Sequence, residues 1–376
     1  MKQKLLFVVN ADWFFYSHRL NLAYKAIEEG YEVHLLTNVS QPSSVHKSNI
    51  TIHHFPFTRL GVNIFKELHL LPKLFFVLKK IKPDIVHLVT LKPIVYVGVI
   101  SLITPIKSIV VAISGMGFLY ASKQNFLFSL LSKFLLFVIR LIIDKNNAKV
   151  IFQNNFDKNL ISAGRKSILK KSILLKGVGV RVATKKYQEE KISKEISILM
   201  ASRLLIDKGV FEFLEAAKII SKQRKDIKFI IAGEPDLGNP NSLSKSQYDE
   251  IREQKFLEST GFVEDMGVLF SKANIVVLPS YREGNPKSII EALAIGRPII
   301  TTKAPGCEDT VKEGVNGFKV KIGDIKEISS RIKNLINNKS LRIKMGKESR
   351  SIFEKNYSLD IVVKQFQDVY FRLMRL

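Results

Sequence analysis

The sequence has only one cysteine, Cys307, among its 376 residues. A single cysteine excludes a disulfide framework and suits a reducing compartment. Cys307 follows Pro305 and Gly306 in a segment typical of a loop, and no partnering base is apparent near it. A catalytic thiol is therefore not expected at this position.

Acidic residues are scarce relative to basic ones: 34 Asp and Glu stand against 59 Lys and Arg, giving a formal net charge of +25. Such a chain favours anionic partners, which include nucleic acid, anionic lipid and phosphorylated substrates. Composition alone does not choose among them. No helix-turn-helix, aromatic stacking platform or zinc finger is evident, so a nucleic-acid partner is not expected.

Several other signals are missing. Residues 5–9 form a short apolar run that soon reaches Asn10 and Asp12, which predicts a first buried strand and not a secretory signal. No Asp-x-Asp stands in a metal-binding context, and no His/Cys cluster or Walker-type loop appears. The glycines of "GVGV" and "GMG" do not complete a dinucleotide fingerprint. We therefore expect no metal ion.

What the sequence does contain is a regular alternation of short β-rich runs and helical patterns. The β-rich runs are 4–9, 31–36, 84–89, 108–113 and 149–153, followed by 197–202, 228–233, 274–280 and 297–302. Residues 17–30 predict the first helix, with Ser17 as its cap, Gly30 as its end and His18 at its start. Residues 180–196 are polar and charged and predict a linker. The rhythm predicts an α/β protein with parallel sheets covered on both faces.

Two such series predict two Rossmann-like doubly wound domains, 1–185 and 186–358, with a C-terminal helix (359–376) that returns to the first domain. Ligands of doubly wound sheets bind beyond the carboxyl ends of the strands, so we expect a cleft between the domains.

One segment, Phe126–Ile143, is strongly apolar over eighteen residues. On a helix its polar residues form one narrow stripe, made of Ser129, Ser132, Lys133 and Arg140. Two charges argue against a membrane-spanning helix. The alternatives are a helix lying in an anionic membrane surface and a buried core helix, and basic segments such as 71–82 favour the first.

The stretch "PSYREGNPKSIIEALAIGRPIITT" places one carboxylate before a helix and a second inside it. Pro286 suits the first turn, and the helix is predicted to run over 287–295 and to end at Gly296. Glu283 then lies on the entry loop and Glu291 about a turn and a half into the helix. Free N–H groups at the helix start and two carboxylates suit an anion and sugar hydroxyls. The alternative is a capping Glu283 and a solvated Glu291.

A second constellation, "ASRLLIDKG", follows the first strand of the second series. Arg203 and Lys208 emerge there and suit a diphosphate. Loop cations are usually solvated, but the position after a strand of the same domain favours a binding role.

These residues resemble the retaining GT-B glycosyltransferases of family 4. The resemblance rests on "SRLLIDKG", "AGEP", "GFVEDM" and the stretch that carries both glutamates. The N-terminal motifs "KPDIVHLVTLKP" and "VIFQNNFDKN" are similar to the branch that builds capsules, O-antigens and other lipid-linked oligosaccharides. The resemblance implies a UDP-sugar donor, a polyprenyl-diphosphate-linked acceptor and no cofactor or metal.

The resemblance also implies residue roles on the donor side. Glu283 would contact the donor hexose and Glu291 the ribose, while Arg203 and Lys208 would neutralise the leaving diphosphate. Other donor contacts would come from Gly284, Asn285, Pro286, Lys287, Phe262, Gly233 and Glu234. Without an obvious nucleophile, front-face attack is expected, with a covalent glycosyl-enzyme as the rival.

On the acceptor side, some relatives have a histidine after the strand 108–113, where this chain has Ser114 and Gly115. His18 is therefore the candidate for acceptor binding or proton relay, with Arg19 and Lys92 beside the same predicted cleft. His34, His53 and His54 are expected to be structural.

The predicted function is transfer of a sugar from its UDP form to an undecaprenyl-diphosphate-linked sugar, and the first candidate for the transferred sugar is an N-acetylhexosamine. The protein would lie on the cytoplasmic face of the plasma membrane and contact it through basic patches and residues 126–143. The alternatives are a sugar-nucleotide epimerase, a phosphorylase or another GT-B enzyme with a soluble substrate.

Overall fold

The structure is a computed structural model that describes residues 2–40, 49–58, 69–104, 106–116, 126–145, 147–177, 179–180, 190 and 195–374. The chain forms two compact units, Met1–Val178 with Val362–Leu376 and Gly179–Ile361. The boundaries drawn from the sequence stand at 185/186 and 358/359. Most of the predicted linker, 180–196, lies outside the described residues.

The N-terminal unit is built on a seven-stranded parallel sheet of order β3-β2-β1-β4-β5-β6-β7. The strands are β1 (Lys4–Val8), β2 (Glu32–Thr37), β3 (Ile50–His54), β4 (Ile85–Val89), β5 (Ser108–Ile113), β6 (Ala148–Phe152) and β7 (Ser172–Leu174). The helices are α1 (Asp12–His18), α2 (Leu20–Glu28), α3 (Leu70–Ile81), α4 (Leu91–Ile103), α5 (Phe126–Asp144), α6 (Asn155–Ser162) and α7 (Lys166–Lys171). Strands β4 and β5 are buried along their whole length, as expected when helices cover both faces of a sheet.

The C-terminal unit has a six-stranded parallel sheet of order β10-β9-β8-β11-β12-β13. Its strands are β8 (Ile196–Ala201), β9 (Ile227–Ala232), β10 (Leu257–Ser259), β11 (Ile275–Leu278), β12 (Ile299–Thr302) and β13 (Gly317–Val320). Its helices are α8 (Val210–Ser221), α9 (Lys245–Arg252), α10 (Met266–Lys272), α11 (Lys287–Ile295), α12 (Ile325–Asn337) and α13 (Lys339–Asn356). Two short 3₁₀ helices, Ile206–Lys208 and Glu308–Thr310, lie in its loops.

The last helix, α14 (Leu359–Met374), belongs from Val362 onward to the N-terminal unit. The hydroxyl of Tyr370 lies 2.6 Å from Nδ1 of His87 on β4, and the Ser108 hydroxyl donates to the carbonyl of Leu373 at 3.3 Å. Because these contacts are buried, α14 is part of the packing of that unit.

The structure confirms the predicted fold class and corrects the first helix. The segment predicted as one helix over 17–30 covers the end of α1 and the whole of α2, which are separated at Arg19. Ser17 does not cap a helix start, because its hydroxyl donates back to the carbonyl of Trp13 at 2.8 Å in the last turn of α1. His18 therefore ends α1 instead of beginning a helix. Gly30, at φ +92°, follows the end of α2 as predicted.

Helix α5 occupies the segment predicted over 126–143, but its faces differ from the expected ones. Ser132 is buried, and the guanidinium of Arg140 donates to the carbonyls of Leu160 and Ile161 at 3.1 and 2.9 Å. The predicted polar stripe is thus partly engaged within the unit. The helix is neither a fully buried core helix nor free of the core, since one face packs inside. That face comprises Leu135, Val138, Ile139, Ile142 and Ile143.

The opposite side of α5 exposes an apolar strip. It consists of Phe126, Leu130, Phe134, Phe137 and Leu141, which are 82, 58, 53, 51 and 40 % exposed. Within the part of the chain that the structure describes, none of the helices combines the length and apolar character needed to cross a membrane.

Candidate functional site

The candidate donor site lies at the carboxyl edge of the C-terminal sheet, where the loops after β8, β9, β11 and β12 meet. Its centre is an ion pair between Lys208 and Glu283, whose Nζ and Oε1 atoms are 2.7 Å apart. The two side chains are only 12 and 16 % exposed. In such partly desolvated surroundings the pair is electrostatically stronger than the same contact on an open surface.

The loops that carry this pair are joined to each other by hydrogen bonds. The carbonyl of Asp207 accepts from the Ser280 hydroxyl at 3.0 Å and from the backbone N–H of Tyr281 at 2.9 Å. Gly209, at φ +75°, closes the first loop, and a Cβ there would lie 2.2 Å from the carbonyl oxygen of Pro279. Only glycine permits this approach of the loop after β8 to the end of β11.

The loop after β12 holds Glu283 from the other side. The N–H of Glu283 donates to the carbonyl of Pro305 at 3.0 Å. A Cβ on Gly306, which has φ +78°, would lie 2.2 Å from the Glu283 carbonyl oxygen. The next residue, Cys307, is fully buried, and burial together with the nearby Glu283 carboxylate raises the pKa of its thiol to about 12. The thiol is therefore protonated at neutral pH, which removes its nucleophilicity.

Helix α11 begins and ends as the sequence predicts, at Lys287 and Ile295, and Gly296 follows it with φ +85°. Pro286 is the N-cap, one position before the predicted first turn, and its own side chain makes no capping hydrogen bond. The positive end of the helix is thus available to an anion. Glu291 is 12 % exposed on the same helix, with its Oε1 atom 3.8 Å from Nζ of Lys287.

The remaining donor residues surround this centre. Nη1 of Arg203 lies 2.7 Å from Oδ2 of Asp236, in the loop after β9, and about half of the Arg203 side chain is exposed. Gly233, at φ +138°, allows that loop to pack on the carbonyl of Ser202, which a Cβ would approach to 1.9 Å. The backbone carbonyl of Glu234 accepts from the N–H of Leu204 at 3.0 Å.

Three donor-side predictions concern loop residues of different exposure. Phe262 is 75 % exposed beyond β10 and is accessible for stacking. Gly284 and Asn285 are half-buried in the loop before α11, and Asn285 lies beside the phenol of Tyr357. The structure thus brings the predicted donor residues onto adjacent loops of one sheet edge.

The residues predicted for the acceptor side lie in the N-terminal unit and differ from one another in burial and in contacts. His18 ends α1 with its ring stacked on Phe14 at 4.2 Å, and its Nδ1 atom lies 2.5 Å from the Ser17 hydroxyl. Arg19 is only 2 % exposed, with its guanidinium 5.5 Å from the Phe366 ring of α14. This position makes Arg19 a packing residue and gives no support to an acceptor role.

Three further acceptor candidates lie near strand ends. Lys92 is 7 % exposed in the first turn of α4, and its ammonium donates to the hydroxyl of Thr58. Ser114 and Gly115 follow β5, and Gly115 has φ +124°. The sequence does not single out Thr90, which joins β4 to α4 and has a positive φ of +71°. A positive φ is rare for a β-branched residue and marks strain that only a backbone geometry can reveal.

Three further histidines, His34, His53 and His87, have structural surroundings. His87 is fully buried in the middle of β4, where burial and the charge of Arg19 hold its pKa well below its usual value. Nδ1 of His34 lies 3.1 Å from Nε2 of His53, and its Nε2 lies 2.9 Å from Glu32. Among the residues that the structure describes, no group of three or more His, Cys, Asp and Glu side chains is placed to hold a metal ion.

Comparison with known proteins identifies the family. Residues 182–352 match the family model "Glycosyl transferases group 1", and residues 4–147 match "Glycosyl transferase 4-like". The chain is a GT-B glycosyltransferase of the family 4 type. The two matches together span both units of this glycosyltransferase.

Full-length relatives agree with this assignment. The glycosyltransferase is 27 % identical over 362 residues to the capsular polysaccharide biosynthesis glycosyltransferase CapM of Staphylococcus aureus, covering 91 % of this chain and 90 % of CapM. It is 24 % identical over 354 residues to the UDP-Gal:alpha-D-GlcNAc-diphosphoundecaprenol alpha-1,3-galactosyltransferase of Escherichia coli, with 91 % and 89 % covered. The sucrose-phosphate synthase structure from Thermosynechococcus elongatus superposes with a TM-score of 0.82 at 16 % identity over 100 % of both chains, which shows the shared fold.

Proposed function

We propose that this glycosyltransferase moves a hexosyl group from a UDP-sugar to an undecaprenyl-diphosphate-linked sugar during surface-polysaccharide assembly. The first candidate for the transferred sugar is an N-acetylhexosamine. The observation that supports binding of a UDP-sugar donor is the Lys208–Glu283 pair near the start of α11, whose N-cap residue makes no side-chain capping hydrogen bond. A cation, a carboxylate and a helix N-terminus together suit a sugar diphosphate, because they offer contacts to phosphate oxygens and to hydroxyls.

The proposed donor contacts follow from these positions. Glu283 would accept hydrogen bonds from hydroxyls of the donor hexose, and Glu291 would accept them from hydroxyls of the ribose. Lys208 and Arg203 would neutralise the diphosphate, and the exposed ring of Phe262 would stack on the base. Since Arg203 is paired with Asp236 and Lys208 with Glu283, donor binding would redirect both cations toward phosphate oxygens.

The proposed reaction retains the anomeric configuration and needs neither metal nor cofactor. The bond between the anomeric carbon and the diphosphate oxygen breaks while the acceptor hydroxyl attacks from the same face. Its proton passes to an oxygen of the departing diphosphate. The negative charge that develops there is stabilised by Lys208, Arg203 and the N–H groups at the start of α11. A covalent intermediate on a carboxylate is the rival route.

The proposed acceptor follows from the relatives and from α5. The similar Escherichia coli enzyme is named for a diphosphoundecaprenol acceptor. The apolar strip on α5, with exposed Lys133 beside it, fits an anionic membrane surface, in which apolar side chains enter the interface and lysine meets phosphate. A net charge of +25 favours the same surface. We therefore propose a peripheral protein on the cytoplasmic face of the plasma membrane.

The test is a panel of UDP- and GDP-sugars assayed with a synthetic polyprenyl-diphosphate-sugar acceptor, with the product anomer determined by NMR. We expect transfer from one UDP-sugar to give a product of the donor's own anomeric configuration. An inverted product would refute retention. Transfer only to a soluble acceptor would refute the lipid-linked acceptor, and interconversion of the donor without any acceptor would favour an epimerase.

A further inference from the structure

A cavity of about 650 Å³ lies at the opposite edge of the C-terminal sheet from the candidate donor site. Ile227 and Leu257, the first residues of β9 and β10, line it together with Glu195, directly before β8. The donor loops follow the other ends of these strands. A strand as long as β9, of six residues, spans roughly 20 Å at about 3.3 Å per residue, so the two places are separate.

The wall of this basic cavity is strongly cationic. Two of its lining residues are carboxylates, Glu195 and Glu258, whereas six are cations. The cations are Lys218, Lys222, Arg224, Lys225, Lys228 and Lys255. The excess of positive charge gives the basic cavity an attraction for anions that extends beyond single contacts.

Some of these cations are already neutralised by carboxylates and others are not. Arg224 is held by Asp226 at 2.7 Å, and Lys228 pairs with Glu258. By contrast, Lys222, Lys225 and Lys255 have no ion-pair partner within the described ranges. The latter three lysines therefore provide positive charge that the described carboxylates leave uncompensated.

Apolar residues also line the basic cavity. Ile227, Phe229 and Leu257 are buried, and Phe256 is half-buried. Lysine stems can lie along such apolar side chains while their ammonium groups stay in water. The volume falls within the range of about 300–1,000 Å³ usual for small-ligand sites. A ligand with charged oxygens at one end and a less polar part at the other fits this arrangement.

We propose that the basic cavity binds the phosphate groups of a phosphorylated ligand, carried either by a soluble diphosphate compound or by the headgroup of an anionic phospholipid. Phosphate suits it better than a single carboxylate, because a doubly charged group with several oxygens can meet several ammonium groups at once. This site is additional to the one that binds the sugar donor.

The first experiment is a calorimetric titration of the full chain with inorganic diphosphate, in excess UDP so that the donor site is occupied. The variant Lys222→Gln/Lys225→Gln/Lys255→Gln should raise the Kd at least about tenfold, because charge-assisted contacts are lost. The control removes three charges from exposed lysines of α13, as Lys344→Gln/Lys347→Gln/Lys355→Gln, and should change the Kd less than about twofold.

The second arm distinguishes the two sources of phosphate. Sedimentation with phosphatidylglycerol/phosphatidylcholine vesicles is compared for the same variants. A loss of diphosphate binding specific to the cavity variant, with unchanged vesicle sedimentation, identifies a soluble ligand, whereas a loss of vesicle sedimentation specific to this variant identifies a headgroup. If the cavity and α13 variants behave alike in both assays, the proposal is overturned.

Discussion

The Lys208–Glu283 pair makes a stability prediction that its burial allows us to quantify. Removing one partner of a buried ion pair costs about 3–5 kcal/mol, because the other charge stays desolvated. Both side chains keep some access to water, at 12 and 16 %, so the lower end applies. We expect Lys208→Met to cost about 3 kcal/mol and Glu283→Gln, whose amide oxygen still accepts a hydrogen bond, about 2 kcal/mol.

The double variant Lys208→Met/Glu283→Gln should lose only about 2 kcal/mol, since neither charge is then left alone, which makes the coupling about 3 kcal/mol. Free energies of unfolding from urea titrations at pH 7, without donor, provide the measurement. The same cycle on the exposed pair Lys25–Glu28, with its N–O distance of 2.8 Å, is the control and should give at most about 0.5 kcal/mol. Additive single effects at the buried pair would contradict the reasoning.

The same variants test the chemistry separately from the fold. If Lys208 stabilises the charge of the leaving diphosphate, Lys208→Met should reduce kcat/KM roughly a hundredfold or more at a temperature where the variant is folded. Circular dichroism at that temperature establishes folding. Full activity in a folded Lys208→Met variant would remove this residue from the proposed mechanism.

Three further predictions concern separate parts of the molecule. Gly306→Ala should abolish UDP binding in calorimetry, because its Cβ would lie 2.2 Å from a carbonyl oxygen of the loop before α11, whereas Gly314→Ala, at φ +72° with open space around it, should retain binding at a strain cost of about 1 kcal/mol. The free energy of unfolding of the wild type should fall as the pH drops below about 6.5, because the lowered pKa of buried His87 means that the unfolded state binds the proton first. The expected slope is about 1.4 kcal/mol per pH unit for each proton taken up on unfolding. In urea titrations His87→Gln should reduce this slope, and an unchanged slope would contradict the prediction. Phe134→Ser/Phe137→Ser should reduce sedimentation with anionic vesicles without lowering the melting temperature, and unchanged sedimentation would refute the membrane role of the α5 strip.

The sequence predicted best those elements whose limits are written in local residues. Helix α11 was predicted to the residue, because Gly296 ends it through a positive φ and a proline precedes its start. The strands found from sequence are mostly the buried apolar ones. The strands β3, β7, β10 and β13 were not predicted, because they are short and lie at the sheet edges, where polar residues interrupt the apolar run.

The candidate site was predicted by residue type but not by contact. Lys208 and Glu283 are 75 positions apart, and nothing in either local pattern indicates that they pair. Asp236 was not predicted at all, since its role depends on the loop after β9 folding back to Arg203. Long-range pairs of this kind follow from sheet order, because the order of the strands determines which loops become neighbours. Patterns in a single sequence do not specify that order.

Helix α5 shows why the choice between a core and an interfacial helix could not be made from its sequence. An apolar residue has the same letter whether it packs inside or faces outward, and a nearly all-apolar helix does not indicate its inner face. In the structure α5 does both, with Ile139 buried and Phe134 exposed. A strip of five exposed apolar side chains along one helix exceeds the scattered apolar residues usual on a protein surface. This strip and the net charge of +25 are the two observations that support the proposed contact with an anionic lipid surface.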